Sequence, residues 1–180
     1  MWIKICGLND PVLAREIAAL GPDAIGLNFY ERSVRFVTPT AARQIAEELP
    51  PAIEAIGVFV DATAEQMRQA AVAFGLRGVQ LHSAGESDSL GEVGEEPGAF
   101  ATSPKRIRAF QIGAKGLAPV AEYFKRHQGR SSPADAYLVD SQVEGLYGGT
   151  GKIVSWDLLR NEYQRQEWPP LILAGGLRPE

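Results

Sequence analysis

Trp2-Ile3-Lys4-Ile5-Cys6-Gly7-Leu8 is a short apolar run that closes on the only cysteine of the chain. Gly7 breaks the run, and Asn9-Asp10-Pro11 follows. Asp10 suits an N-cap and Pro11 the first helical position, so the stretch predicts strand, loop, helix in that order. Cys6 then stands at the C-terminal lip of a strand. In parallel α/β folds that lip is where ligands bind.

The same unit recurs along the chain. Strands are predicted at 24–29, 56–60, 78–82, 107–112, 136–140 and 171–174. Helical patterns stand between them. The first begins at Asp10, carries Val12, Ile17, Ala18 and Leu20 on one face, and is closed by Gly21-Pro22. Another starts at Pro39 and stops before Pro50-Pro51. A third is capped by Thr63, with Gln66 completing a capping box, and runs to about Phe74. Residues 117–127 and the stretch from Ser155 supply two more. Short strands that are apolar on both faces and separated by helices are the mark of a parallel sheet covered on both sides. Seven evenly spaced units favour a (β/α)8 barrel of the TIM type, with seven strands in this chain, over an open doubly wound sheet. Two segments break the rhythm. Residues 83–105 are rich in Gly, Ser and Glu and predict a mobile connection in place of a fourth helix. Residues 128–135 predict a shorter polar loop.

Composition narrows the class. The 180 residues are 45% hydrophobic, enough for one domain, 1–180, with a real core. A net charge of −4 without a Lys/Arg run argues against a nucleic-acid partner or an anionic membrane surface. A single cysteine makes no internal disulfide, which suits a reducing cytoplasm. No apolar run approaches the length of a membrane span, no leader-like start is seen, and no Cys/His grouping has metal-ligand spacing. A cytoplasmic protein without a metal is expected.

Several strand-end groups are suited to chemistry. Cys6 is either a small buried apolar residue or, as a thiolate, a base or nucleophile. Asp140 ends an apolar strand. A carboxylate at the mouth of a low-dielectric barrel can hold a proton near neutral pH, although loop-capping aspartates are as common there. Asp61, also at a strand end, has no accompanying motif and reads as structural. Gly148-Gly149-Thr150-Gly151-Lys152 offers backbone N–H groups to an anion, but it is not a P-loop: Leu146 and Ile153 stand where that motif needs Gly and Ser/Thr. Gly175-Gly176 has the same two readings, an anion cradle or a flexible turn. Arg35, in the loop after the second strand, has a fork that fits a carboxylate; taken singly it reads as a solvated loop residue. His82 ends the fourth strand and could line a pocket or be a hydrogen-bonded rim residue. His127, at a helix end, reads as solvated.

Taken in order, these segments resemble phosphoribosylanthranilate isomerase of tryptophan biosynthesis. The matching residues are Lys4-Ile5-Cys6-Gly7-Leu8; Gly26 to Tyr30 with Ser33 and Arg35; Gly57-Val58-Phe59-Val60; and Val79-Gln80-Leu81-His82. They continue with Leu138-Val139-Asp140-Ser141, then Gly148 to Lys152 with Trp156, and Leu173 to Leu177 with Pro179-Glu180. The resemblance implies an intramolecular oxidoreductase-type isomerase that performs an Amadori rearrangement of N-(5-phosphoribosyl)anthranilate to 1-(2-carboxyphenylamino)-1-deoxyribulose 5-phosphate. It implies Asp140 as the general acid, Cys6 as the general base and Arg35 as the holder of the anthranilate carboxylate. Gly149, Gly151, Gly175 and Gly176 fall at phosphate-site elements, and His82 lines the substrate pocket. No cofactor is implied, and the partner is a phosphorylated small molecule. Monomer and homodimer both remain open.

The sequence departs from the family at Glu31, Val34 and Ser83 in loops, and above all at its end. The family continues beyond the Pro-Glu with an eighth βα unit that supplies part of the phosphate site. A seven-stranded barrel has open edges at its first and last strands. The expectation is therefore a C-terminally incomplete barrel that is poorly stable or weakly active unless a complementing segment is supplied. Two other readings stand beside the isomerase. One is a different sugar-phosphate barrel isomerase of the histidine-pathway kind, against which Cys6 argues because that type is expected to use paired aspartates. The other is a non-catalytic fragment that keeps partial ligand binding.

Overall fold

Helices that alternate with apolar strands bury both faces of a parallel sheet, and each part of this chain is built that way. The computed structural model describes residues 1–83, 89–93, 104–113, 115–127, 134–141 and 156–175. The chain divides into two compact units, Met1–Arg106 and Ile107–Glu180.

The first unit carries β1 (Lys4–Cys6), α1 (Pro11–Ala18), β2 (Ala24–Asn28), α2 (Pro39–Glu48), β3 (Glu54–Val60), α3 (Ala64–Phe74) and β4 (Gly78–His82). Its strands are parallel and lie in the order β1-β2-β3-β4. The register aligns Cys6 with Gly26, Gly26 with Ile56, and Ile56 with Gly78. Asn28, Val58 and Gln80 form the next row, and Val60 aligns with His82. Ile25, Leu27, Val79 and Leu81 are fully buried. Under α3, Phe29 stacks on Phe59 and Phe74 with centroids 5.2 and 5.3 Å away. Such aromatic pairs add about 1 kcal/mol beyond their buried area.

Local signals set the helix starts. The Asp10 carboxylate accepts from the N–H groups of Val12 and Leu13 at 2.8 and 3.0 Å. Thr63 and Gln66 form the expected capping box. The packed face of α1 differs from the expected one. Ala14 and Ala18 are buried, whereas Val12 and Leu20 are 59% and 81% exposed. Leu20 lies beyond the helix, which ends at Ala18, so helical spacing does not govern it, and the close-packed stripe selects alanines over the larger side chains. Arg15 on α1 pairs with Glu48 on α2 at 2.8 Å. The Arg15 hydrogen bond, then that of Gln44, holds the exposed Glu48 carboxyl below the usual carboxylate range. Its small stabilisation is present above the ordinary carboxylate value and fades as pH falls through the lowered one.

The second unit holds β5 (Lys105–Ile112) from Ile107 onward, α4 (Ala118–His127), β6 (Ala136–Ser141), α5 (Trp156–Glu162) and β7 (Leu171–Leu173). The strands are parallel in the order β5-β6-β7. Phe110, Tyr123 and Tyr137 meet edge to face, and the buried Arg108 guanidinium lies over the rings of Phe110 and Tyr123. His127, read as solvated, is instead half-buried: its Nδ1 lies 2.8 Å from the Tyr123 carbonyl and its ring leans on Tyr123. A histidine one turn after a buried tyrosine has both partners on its own helix. Within 83–105, residues 89–93 form turns that bury Leu90 and Val93; 84–88 and 94–103 of that expected mobile connection, and 128–133 of the polar loop, lie outside the described residues. Among the described residues no helix is long and apolar enough to cross a membrane.

Leu81→Ala is expected to destabilise the chain by about 3 kcal/mol, because the truncation leaves a void in a close-packed layer. Val72→Ala, at a position 64% exposed, should stay within about 0.5 kcal/mol. Denaturant midpoints of the two variants check this.

Candidate active site

Parallel strands bring their C-terminal ends to one edge, so Cys6, Asn28, Val60 and His82 end neighbouring strands on the same side of the first unit. Cys6 is exposed rather than buried, which removes the apolar-filler reading of its thiol. Lys4 and Cys6 alternate with Ile3 and Ile5 along β1, and therefore share a face. The row that contains Cys6 has glycine at position 26. A Cβ added there would lie 2.7 Å from Cys6 Sγ and 3.1 Å from Lys4 Nζ. Gly26 thus keeps open the space into which both side chains reach.

The loop after β2 is folded back on itself by Asn28. Its side chain donates to Ser33 Oγ at 3.0 Å and accepts from Tyr30 N–H at 2.9 Å. Its carbonyl accepts from Val37 N–H at 2.9 Å, and Ser33 Oγ accepts from Arg35 N–H at 3.1 Å. These bonds carry Arg35 over Gly7, the residue after the cysteine. A Cβ on Gly7, whose φ is +84°, would stand 2.5 Å from Arg35 Cδ. Any side chain at position 7 would therefore push the guanidinium away. The Arg35 guanidinium has no carboxylate partner among the described residues, so its fork is available to an anionic ligand.

His82 is half-buried at the end of β4, and its Nε2 lies 2.7 Å from Nε2 of Gln80, a side chain only 3% exposed. Asp61, next to the end of β3, has φ +47° and is exposed, its N–H bonded to the His82 carbonyl.

In the second unit, Asp140 is the penultimate residue of β6, paired in register with Gln111 and buried. Ala174 N–H donates to Val139 O at 2.9 Å, which sets the end of β7 beside that of β6, and Gly175 follows with φ +78°. Gly149, Gly151 and Gly176 lie outside the described residues. The first unit thus gathers Cys6 and Arg35 around Gly7 and Gly26, with His82 on the same edge. The second sets Asp140 and Gly175 at neighbouring strand ends. Lys4, Gly26 and Gln80 were not singled out in the sequence as site residues. The two-residue spacing of Lys4 from Cys6 and of Gln80 from His82 was the available signal.

The model of the family described as N-(5'phosphoribosyl)anthranilate (PRA) isomerase matches residues 3–180 of this chain. The chain belongs to the PRA isomerase family. A PRA isomerase from Gloeothece citriformis is 36% identical over 181 residues, spanning 100% of this chain and 76% of the relative. One from Parabacteroides distasonis is 38% identical over 187 residues, spanning 100% and 75%. Among solved structures, the PRA isomerase of Thermus thermophilus superposes with a TM-score of 0.74 at 29% identity, covering 99% of this chain and 78% of that one. A further PRA isomerase structure, solved with reduced 1-(o-carboxyphenylamino)-1-deoxyribulose 5-phosphate, has a TM-score of 0.71 at 25% identity and covers 98% and 76%. The fold is of the (β/α)8 TIM-barrel type, with seven strands among the described residues, and the protein is an isomerase of tryptophan biosynthesis acting on a phosphorylated small molecule.

Gly26→Ala is expected to lower PRA isomerase turnover about 100-fold, since the new methyl group must displace the sulfur by a good part of an ångström. Unfolding midpoints measured alongside should shift far less than they do for Leu81→Ala.

Proposed function

We propose that Cys6 is the general base and Asp140 the general acid of the rearrangement, with Arg35 holding the anthranilate carboxylate. The observation that carries this reading is that the exposed Cys6 thiol ends β1 while the Arg35 side chain lies against Gly7, the next residue in the chain. Chemistry needs both: an anion anchor that fixes the aromatic end of the substrate, and a base within about 3 Å of the carbon to be deprotonated.

The steps balance without a cofactor or metal. Asp140 gives a proton to the furanose ring oxygen, the C1′–O bond breaks, and the nitrogen lone pair forms a C1′=N⁺ iminium. The iminium acidifies the C2′–H bond. The Cys6 thiolate takes that proton, the C–H electron pair forms C1′=C2′, and the nitrogen becomes neutral. The resulting enol loses its O–H proton as C1′ gains one, giving the aminodeoxyribulose phosphate. Gly149, Gly151, Gly175 and Gly176 are assigned to the phosphate, which backbone N–H groups bind well, and His82 to the wall of the pocket.

The reading extends to a single cytoplasmic barrel domain, active as a monomer or homodimer. Ile5 on β1 and Ile3 just before it are exposed, and β1 pairs with β2 alone among the described residues. This supports dependence of full turnover on a complementing segment that covers β1.

Cys6→Ser and Asp140→Asn are each expected to reduce turnover about 1,000-fold, within the range of general acid and base effects, with substrate still bound. Arg35→Met should raise KM at least tenfold, reporting loss of a charge-assisted bidentate contact. Fluorescence of the anthranilate ring follows all three. Turnover that survives in Cys6→Ser sinks the assignment of the base.

A further inference from the structure

Lys4 is two residues before Cys6, and its side chain leaves β1 on the same face. Its ammonium and the thiol close on one point: the position of a Cβ on Gly26 is 3.1 Å from Nζ and 2.7 Å from Sγ. Lys4 is half-buried, and it has no hydrogen bond or ion pair among the described residues. The acidic residue in its own row, Glu54, is paired with Lys105 instead. The ammonium therefore stands beside the thiol with its hydrogen-bond donors open to a ligand atom.

We propose that Lys4 is a catalytic residue of the isomerase reaction, donating a hydrogen bond to the oxygen carried by C2′, the carbon that Cys6 deprotonates. The assignment rests on the isomerase reading given above. When Sγ is within about 3 Å of the C2′ hydrogen, the groups nearest the sulfur are the other substituents of C2′. Its oxygen is the one acceptor among them. The carboxylate and the phosphate lie at the two ends of the substrate, several bonds away. In the ground state the C2′ oxygen is a hydroxyl. As the C–H electron pair moves into C1′=C2′ it becomes an enol oxygen, and it is a ketone oxygen in the product. An ammonium set against it stabilises the negative charge that develops on the oxygen as the enol gives up its O–H proton, and fixes the face of C2′ turned toward the sulfur.

The test uses two stable ligands with the 180-residue chain. One is the reduced aminosugar phosphate, which keeps a hydroxyl at C2′. The other is its 2′-deoxy counterpart. Both are titrated calorimetrically against the wild type, Lys4→Met and Lys4→Arg. The wild type should bind the hydroxyl ligand about tenfold tighter than the deoxy ligand, the size expected of a hydrogen bond from a charged donor. Lys4→Met should bind the two alike, at the affinity the wild type has for the deoxy ligand. Lys4→Arg should regain part of the difference. In turnover, Lys4→Met should lower kcat far more than it raises KM. If Lys4→Met does not fold, Lys4→Gln is read in its place, with the same expectation. Equal discrimination by the wild type and Lys4→Met overturns the proposal. So does a loss of the same size for both ligands, which would mean that Lys4 meets the phosphate or carboxylate, or only supports the strand. If the wild type binds neither ligand, the isomerase reading fails first and this assignment falls with it.

Discussion

The close approach of β1 to β2 at Cys6 and Gly26 governs the first unit. Two parallel strands in this register bring every side chain of that row onto one face, and at this row there is room for a sulfur and an ammonium only because residue 26 has no side chain. The same logic acts one residue further along. Gly7 turns the chain with a positive φ, and the missing Cβ lets Arg35 lie against the backbone next to the thiol. Two absent methyl groups therefore make room for a thiol, a guanidinium and an ammonium. Asn28 completes the arrangement by folding the loop that delivers Arg35.

Much of the frame was legible in the sequence because its signals are local. Asp10-Pro11 and Thr63 with Gln66 act within one turn of helix, and they set those helix starts as expected. The β4 strand falls where its apolar run predicted it, at Gly78–His82. The misread features depend on which side of a helix is packed. Helical spacing offered Val12, Ile17, Ala18 and Leu20 as the inner face of α1; Ala18 is buried as expected, but Ala14 is buried where Val12 and Leu20 stay exposed. For His127 the signal was close at hand, in Tyr123 one turn earlier on the same helix, whose ring lies against the imidazole.

The candidate site was legible in part for a related reason. Cys6, Arg35, His82 and Asp140 stand at strand ends or in the loops beyond them, and position alone nominates such residues. Lys4 and Gln80 lie inside strands, where a polar residue reads as an exception until the register shows what it faces. Glu54 makes the same point in reverse: it shares a row with Lys4, yet its charge is taken by a lysine 51 residues away along the chain. Pair choice of that kind is decided in three dimensions, by which ammonium reaches the carboxylate with least loss of hydration.

The alternation of Lys4 and Cys6 with Ile3 and Ile5 ties chemistry to pairing fidelity. Sliding β1 by one residue along β2 would preserve its length, its twist and nearly all of its hydrogen bonds. It would also turn both reactive side chains away and present two isoleucines in their place. Far-ultraviolet dichroism would hardly distinguish the two pairings, yet one of them has no thiol on that face. The bonds from Ile3 N–H to the Asp23 carboxylate and from Gly7 N–H to the Gly26 carbonyl brace β1 at both of its ends. They act as a proofreading device in the backbone: the strand is held at the offset that sets the thiol and the ammonium on one face.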